Sequence, residues 1–280
     1  MKLKNFLLTA TAFVFVGGFS ACKKDGNASS EIETTFELSG DQAISDNLNS
    51  DAEYVLNEAA IDNDFSGNTP AHATETLNVL SCAAATITPL QGFPKNITLD
   101  FGSGCTSSNG ITRSGKIYIT LSDSLRKSGS MAVMTFENYY VSGFKKEGKI
   151  TWTNTSQAGI KSWSRTCENG KITAPGGRYW LHAGTQDIVQ TQGSSTPYNL
   201  LDDEYSMTGS NSVTNAAGNS RTSTIIQPLE KKVICENIDM GKLTIEGANH
   251  SAVLDFGDGS CDKVATISID GNTPRTILLR

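Results

Sequence analysis

The sequence predicts an all-β protein, mainly antiparallel, with two related β halves arranged as a sandwich or open half-barrel and one short N-terminal helix. Three observations predict it. Between Asp41 and Asn63 the apolar residues recur every three or four positions, whereas after about Leu77 they alternate with polar ones. Joints rich in Gly, Ser and Asn, at 107–110, 128–129, Gly143, Gly148 and 193–195, separate the alternating runs. The strand-rich region also echoes itself, and the strand–helix alternation of nucleotide-binding α/β folds does not appear. A chain of 280 residues with 38% hydrophobic residues can bury a sizeable core. Its net charge of −6 offers no basic surface for phosphate backbones, so nucleic acid is not an expected partner.

In chain order, residues 1–21 come first. Lys2 and Lys4 precede an uncharged stretch, Asn5 to Ala21, with an apolar centre from Phe6 to Val16, the pattern of a secretory signal. The stretch ends in Phe19-Ser20-Ala21-Cys22, which resembles the lipobox of bacterial lipoproteins. That resemblance implies lipidation at Cys22, cleavage before it, and a chain held to the membrane by its N-terminal lipid. Without residues 1–21 the chain carries 21 basic and 29 acidic residues. Residues 22–40 read as a flexible linker, since Lys23 to Ser30 are small and polar.

Residues 41–65 read as an amphipathic helix. Its apolar positions are Ile44, Leu48, Ala52, Val55, Leu56 and Ala59, a narrow stripe suited to packing on something larger. Asn63 to Pro70 then breaks the pattern. The first β half is expected over 66–165 and the second over 166–280. Ile97, Leu99 and Phe101 alternate with polar residues, as do Ile117, Ile119 and Leu121, and Ile150 with Trp152, the signature of half-buried strands. Ala132, Met134 and Phe136 share one parity, but Tyr139 and Val141 share the other, and a bulge near Asn138 is the cheapest way to keep both sets inward.

The echo relates Cys82 and, eighteen residues on, Asp100-Phe101-Gly102-Ser103-Gly104-Cys105 to Cys235 and, twenty residues on, Asp255-Phe256-Gly257-Asp258-Gly259-Ser260-Cys261. Setting Cys22 aside for lipid leaves five cysteines, and the echo pairs Cys82 with Cys105 and Cys235 with Cys261, leaving Cys167 over. Metal binding is not expected, because no two cysteines lie two to four residues apart and His72, His182 and His250 are scattered singly. Asp255 to Ser260 also resembles the turn of PKD-type modules, but the strands such a module needs are missing after it, and both copies read as turns in which Asp accepts backbone N–H bonds. Carboxylates at Asp255, Asp258 and Asp262 are spaced three and four apart, where the EF-hand spacing is two.

Together the lipobox, the short acidic helix, Arg113-Ser114-Gly115-Lys116-Ile117, Asn138-Tyr139, and the repeated Asp-Phe-Gly…Cys motifs resemble uncharacterised lipoproteins of Bacteroidota. The resemblance spans most of residues 22–280 and implies an all-β envelope protein, on the outer membrane and facing the periplasm or the cell surface. It carries over no activity and no ligand. No Gly-x-Ser-x-Gly, His-Glu-x-x-His or kinase segment is found, so no catalytic residue and no cofactor is expected. Tyr179 and Trp180, after Pro175-Gly176-Gly177, form a candidate stacking platform for a ligand such as a glycan. The expected role is a non-catalytic binding or structural module, whose partner could be a glycan or an envelope protein. Its rivals are a carrier of a hydrophobic ligand in an open β fold and a polysaccharide-acting enzyme, which needs only two carboxylates.

Overall fold

The structure, a computed structural model, describes residues 24–62 and 75–279, with side chains from Ser29 onward. Cys22, the signal segment and His72 lie outside the described residues. One helix, α1 (Lys24–Asp62), precedes fourteen strands. These are β1 (Ala84–Thr88), β2 (Lys95–Asp100), β3 (Cys105–Thr106), β4 (Thr112–Leu121), β5 (Met131–Val141), β6 (Phe144–Asn154) and β7 (Ser162–Thr173), then β8 (Tyr179–Gln192), β9 (Glu204–Asn215), β10 (Ser220–Lys232), β11 (Met240–Glu246), β12 (Ser251–Asp258), β13 (Val264–Ile269) and β14 (Arg275–Leu278).

All strands join one antiparallel sheet in sequence order, with β3 paired to β4 off the main path. The sheet is open, β1 and β14 being its two ends. The expected boundary between halves, at 165/166, falls inside β7, and the ladders β6–β7 and β7–β8 run through it without a break. The expected bulge is present. The β5–β6 register shifts between Thr135 and Tyr139, and Asn138 adopts φ 46°. Opposite it, Gly115 adopts φ 80°, and a Cβ there would lie 1.9 Å from the Asn138 carbonyl oxygen, so only glycine fits this crossing of strands.

The inward residues of the alternating runs, Ile97, Leu99, Ile117, Ile119, Ala132, Met134, Tyr139, Ile150 and Trp152, are buried. They pack on α1, which lies along the concave face between two apolar clusters. Leu48, Ala52, Val55, Leu56 and Ala59 belong to the cluster of the first strands, and Ala43, with Ile32 and Phe36 at its margin, to that of the later ones.

The helix departs from expectation in extent and in burial. It spans 39 residues, about 58 Å at 1.5 Å per residue, and begins at Lys24, so most of the expected linker is helical. From Asp41 to Ala60 nearly every side chain is buried, the polar ones included. A narrow apolar stripe was the only helical signal in the sequence; contacts from several sides of the sheet hold the rest in place. No described helix is long and apolar enough to cross a membrane.

Candidate functional site

Five cations of the sheet region point inward at α1. Arg113 of β4 binds Asp51 through Nε at 3.2 Å and Nη2 at 2.5 Å. Lys146 of β6 donates to Asn49 Oδ1 at 2.6 Å. Arg165 of β7 reaches Glu53 at 3.3 Å and also bonds Gln186 Oε1. Arg178, just before β8, grips both oxygens of Asp41 at 2.6 and 2.7 Å. Arg221 of β10 donates to Thr35 Oγ1 at 3.0 Å. Between these lie Trp180 Nε1 to Ser45, Gln186 Nε2 to Asp46, and the Ile238 backbone N–H to Asn47 Oδ1, at 2.9, 3.0 and 2.7 Å.

Burial in this interface shifts the ionisable groups. It pushes the Lys146 ammonium down to about 8 and the Glu53 carboxyl up to about 7 despite the nearby Arg165 guanidinium. Burial also raises Asp46 and Asp41, where the Gln42 and Arg178 hydrogen bonds only partly oppose it. At Arg113 burial is the largest single influence and pulls down, but Asp51, Tyr139 and Glu58 together outweigh it and the guanidinium stays charged.

One stretch of α1 opens to a cleft. Ser50, Asp51, Glu53, Tyr54 and Asn57 form its floor. Asn109, Ile111 and Arg113, from the β3–β4 hairpin, make one wall. Tyr205 and Met207 of β9, with Lys231, Val233, Cys235 and Glu236, make the other. The walls come from strands far apart in sheet order, so the sheet curls around the helix to bring them together. The cavity enclosed between them is narrow, about 40 Å³. Apolar Tyr54, Leu77, Ile111 and Val233 alternate with charged groups there, the mixed lining of a small-ligand pocket. Asp203, whose carboxyl burial raises to about 6, accepts the Tyr205 hydroxyl at 2.8 Å beside the cleft.

The echoed motifs flank this cleft. Cys82 is bonded to Cys105 and Cys235 to Cys261, as the echo implies. Cys105 opens the hairpin of one wall and Cys235 belongs to the other. Asp100 Oδ1 accepts the Gly102 N–H and Asp255 Oδ1 the Gly257 N–H, both at 2.9 Å, while Lys116 and Lys242 pair with the two carboxylates at 3.0 and 2.8 Å. Phe101 and Phe256 are buried, one in each core cluster. Each motif is thus a disulfide-closed hairpin that anchors one side of the cleft.

The Tyr179–Trp180 platform is not formed. Neighbours in a strand face opposite ways, and Trp180 turns inward, 0% exposed, while Tyr179 lies under the Lys171 ammonium at 4.6 Å from its ring centre. Cys167 is a free, buried thiol, 3.5 Å from His182 Nδ1, and burial raises its pKa. Burial drives His182 well below the usual imidazole range. His250 instead pairs with Asp270 at 2.6 Å near the surface. Cys235, Asp239 and Cys261 cluster closely, but both sulfurs are held in the disulfide.

Sequence reading missed the inward cations, although a signal existed. Arg165 shares the parity of Trp163 and Cys167, and Lys146 that of Phe144, so each places a charge on an apolar face. The matching acids lay in a helix read as exposed on all but one stripe. Comparison with known protein families, characterised proteins and solved structures found no match.

Proposed function

We propose that this chain is a lipid-anchored, non-catalytic protein of the bacterial envelope or cell surface, acting as a binding or structural module, with the cleft over Ser50–Asn57 as its ligand site. The observation that carries the reading is the occupation of the concave face by α1. A carrier of acyl chains needs that face open and apolar, whereas here each available turn of it is taken by a helix tied with ion pairs. What is left accessible is a cleft of mixed polarity between two disulfide-braced walls, which suits a small polar or amphipathic ligand. Its lining supports binding through Asn57, Asn109 and Lys231 at the mouth and Tyr54 and Val233 below.

The test is a glycan and lipid binding screen on the chain from Cys22 onward, repeated with Asn57→Arg, which would fill the mouth. Binding of an envelope glycan that the variant loses supports the site; binding unchanged in the variant removes it. Acyl lipid co-purifying in native mass spectra would favour the carrier instead. The enzyme reading draws its support from Glu53, a carboxyl with its pKa at about 7 on the floor of a cleft it shares with Asp51. Polysaccharide cleavage abolished by Glu53→Gln would replace binding by hydrolysis. Retention of a Cys22→Ala chain in carbonate-washed membranes would contradict the lipid anchor.

A further inference from the structure

Four of the five inward cations are arginines, and each reaches a carboxylate of α1: Asp51, Glu53, Asp41 and, at 3.9 Å, Glu31. The fifth is Lys146, whose Nζ lies 2.6 Å from Oδ1 of Asn49, a neutral carboxamide. Both side chains are buried, 1% and 4% exposed. A carboxamide cannot offset a buried positive charge, and desolvation dominates this ammonium, pushing it down to about 8. The groups that face it are Arg165 and Cys167 from β7, His182 from β8, Asp46 and Asp51 from α1, and the Phe136 ring from β5, whose centre is 5.4 Å away.

An ordinary lysine is a poor nucleophile because a proton occupies its lone pair; a desolvated one keeps that pair free for a large share of the time. Hydrogen-bonded to Oδ1, the Lys146 nitrogen also sits beside Cγ, the electrophilic atom of the Asn49 side chain. A helix holds one reactant and a strand the other, which is the kind of placement that makes a slow amide exchange intramolecular. Proton transfer needs an acid, and Asp46 stands one turn before Asn49 on the same helix, 0% exposed. Burial is the largest influence on its carboxyl and raises it against the Gln42 hydrogen bond and the Arg165 charge. Asp46 and Lys146 also act on one another electrostatically. Burial favours the neutral form of both, an amine with a free lone pair and a carboxyl that bears a proton.

We propose that Lys146 and Asn49 condense into an isopeptide bond that ties α1 covalently to β6. In the structure the two side chains are hydrogen-bonded and still separate. The lone pair of Lys146 Nζ attacks Cγ of Asn49, a new C–N bond forms, the bond from Cγ to Nδ2 breaks, and ammonia leaves. Asp46 gives a proton to the departing nitrogen and takes one from the attacking amine, so it ends as it began. No oxidant and no co-reactant is consumed. The bond joins positions 97 residues apart and fixes the helix against the sheet next to the Ser50–Asn57 face.

Mass spectrometry of the purified wild-type chain, disulfides reduced, tests the bond. A tryptic digest should hold a branched peptide in which Lys146 is joined to Asn49 and cleavage after Lys146 is lost. The intact wild type should weigh one ammonia less than the value inferred from Lys146→Met or Asn49→Ala once the substitution is allowed for, a comparison that holds whether or not the variants fold. Absence of both the branched peptide and the mass deficit, after incubation near pH 8 where about half the amine is free, overturns the proposal. Succinimide formation at Asn109-Gly110 or Asn169-Gly170 also releases ammonia, but it yields no branched peptide, and a deficit that persists in both variants counts against the bond. Asp46→Ala should leave the two side chains uncondensed; condensation there to the wild-type extent overturns the part given to that carboxyl.

Discussion

Replacing Glu53 by Gln should remove one buried carboxyl's share of the pH dependence of stability. Glu53 faces Arg165 from β7, Lys231 from β10, Asp203 just before β9 and Tyr205 within it. Burial dominates this mixture and raises the carboxyl from an ordinary 4.5 to about 7. A carboxyl whose folded pKa exceeds its unfolded one binds its proton more tightly when folded. Its contribution to stability is therefore complete below pH 4.5 and is lost as pH rises through 7. At about 1.36 kcal/mol per pH unit, the difference between the folded and unfolded values amounts to about 3 kcal/mol. Gln is a near-isostere that cannot titrate. The variant should match the wild type near pH 4.5 and exceed it by about 3 kcal/mol near pH 8, since the folded value of about 7 already contains the attraction to Arg165.

Urea unfolding from pH 4.5 to 8, with wild type and variant side by side, measures that difference. Other groups add their own slopes, Asp203 in the same sense and Asp100 in the opposite one, because the Gly102 N–H and Lys116 lower its pKa. They cancel in the comparison of the two proteins. A stability difference independent of pH, or one that favours the wild type increasingly as pH rises, would refute the account of Glu53 as a carboxyl governed by desolvation.

Removing one partner of the Arg113–Asp51 pair, as in Asp51→Asn, should cost about 3–5 kcal/mol in urea unfolding, because a buried guanidinium loses its counter-charge; Asp51→Leu/Arg113→Met should instead be near neutral. Trp180→Ala should lose about 3–5 kcal/mol, since the ring is fully buried and its Nε1 bonds Ser45; a near-neutral change would restore the surface platform. Gly115→Ala should fail to fold or lose several kcal/mol, and wild-type thermal stability in that variant would contradict the tight crossing at Asn138. Non-reducing peptide mapping should recover Cys82 with Cys105 and Cys235 with Cys261, and removing either bridge should cost about 3 kcal/mol.

Much of the sheet was legible because its signal is local. Alternation of period two named Ile117, Ile119, Ile150 and Trp152 as inward residues, and the parity change between Phe136 and Tyr139 pointed to a bulge near Asn138, within the stretch where the register shifts. The echo found both disulfides because a repeated spacing survives translation into two hairpins. The reach of α1 was not legible. Its residues 24–40 lack a sustained apolar period, and what holds them is long-range: Arg221 and Asn249 on Glu31, Arg275 on Glu33, Arg178 on Glu37. The cleft escaped notice for the same reason, since its walls lie some hundred residues apart and only the curl of the sheet brings Ile111 and Val233 over Tyr54.

The charged interior raises a question of energetics, because an apolar helix would have filled the same groove at lower desolvation cost. Apolar contact, however, is nearly indifferent to sliding. A helix lined with Leu and Ala could shift one turn, about 5.4 Å, and recover most of its buried area. For α1 the same slip would carry Asp41 from Arg178, Asn49 from Lys146, Asp51 from Arg113 and Glu53 from Arg165 together, leaving several cations in low dielectric without partners. At several kcal/mol for each stranded charge, the slipped arrangement lies far above the native one even though its apolar contacts survive. The ladder therefore fixes the axial position and rotation of the helix. With the helix so fixed, the part of it that reaches the cleft is always the Ser50–Asn57 face, and both walls close on the same side chains in every molecule.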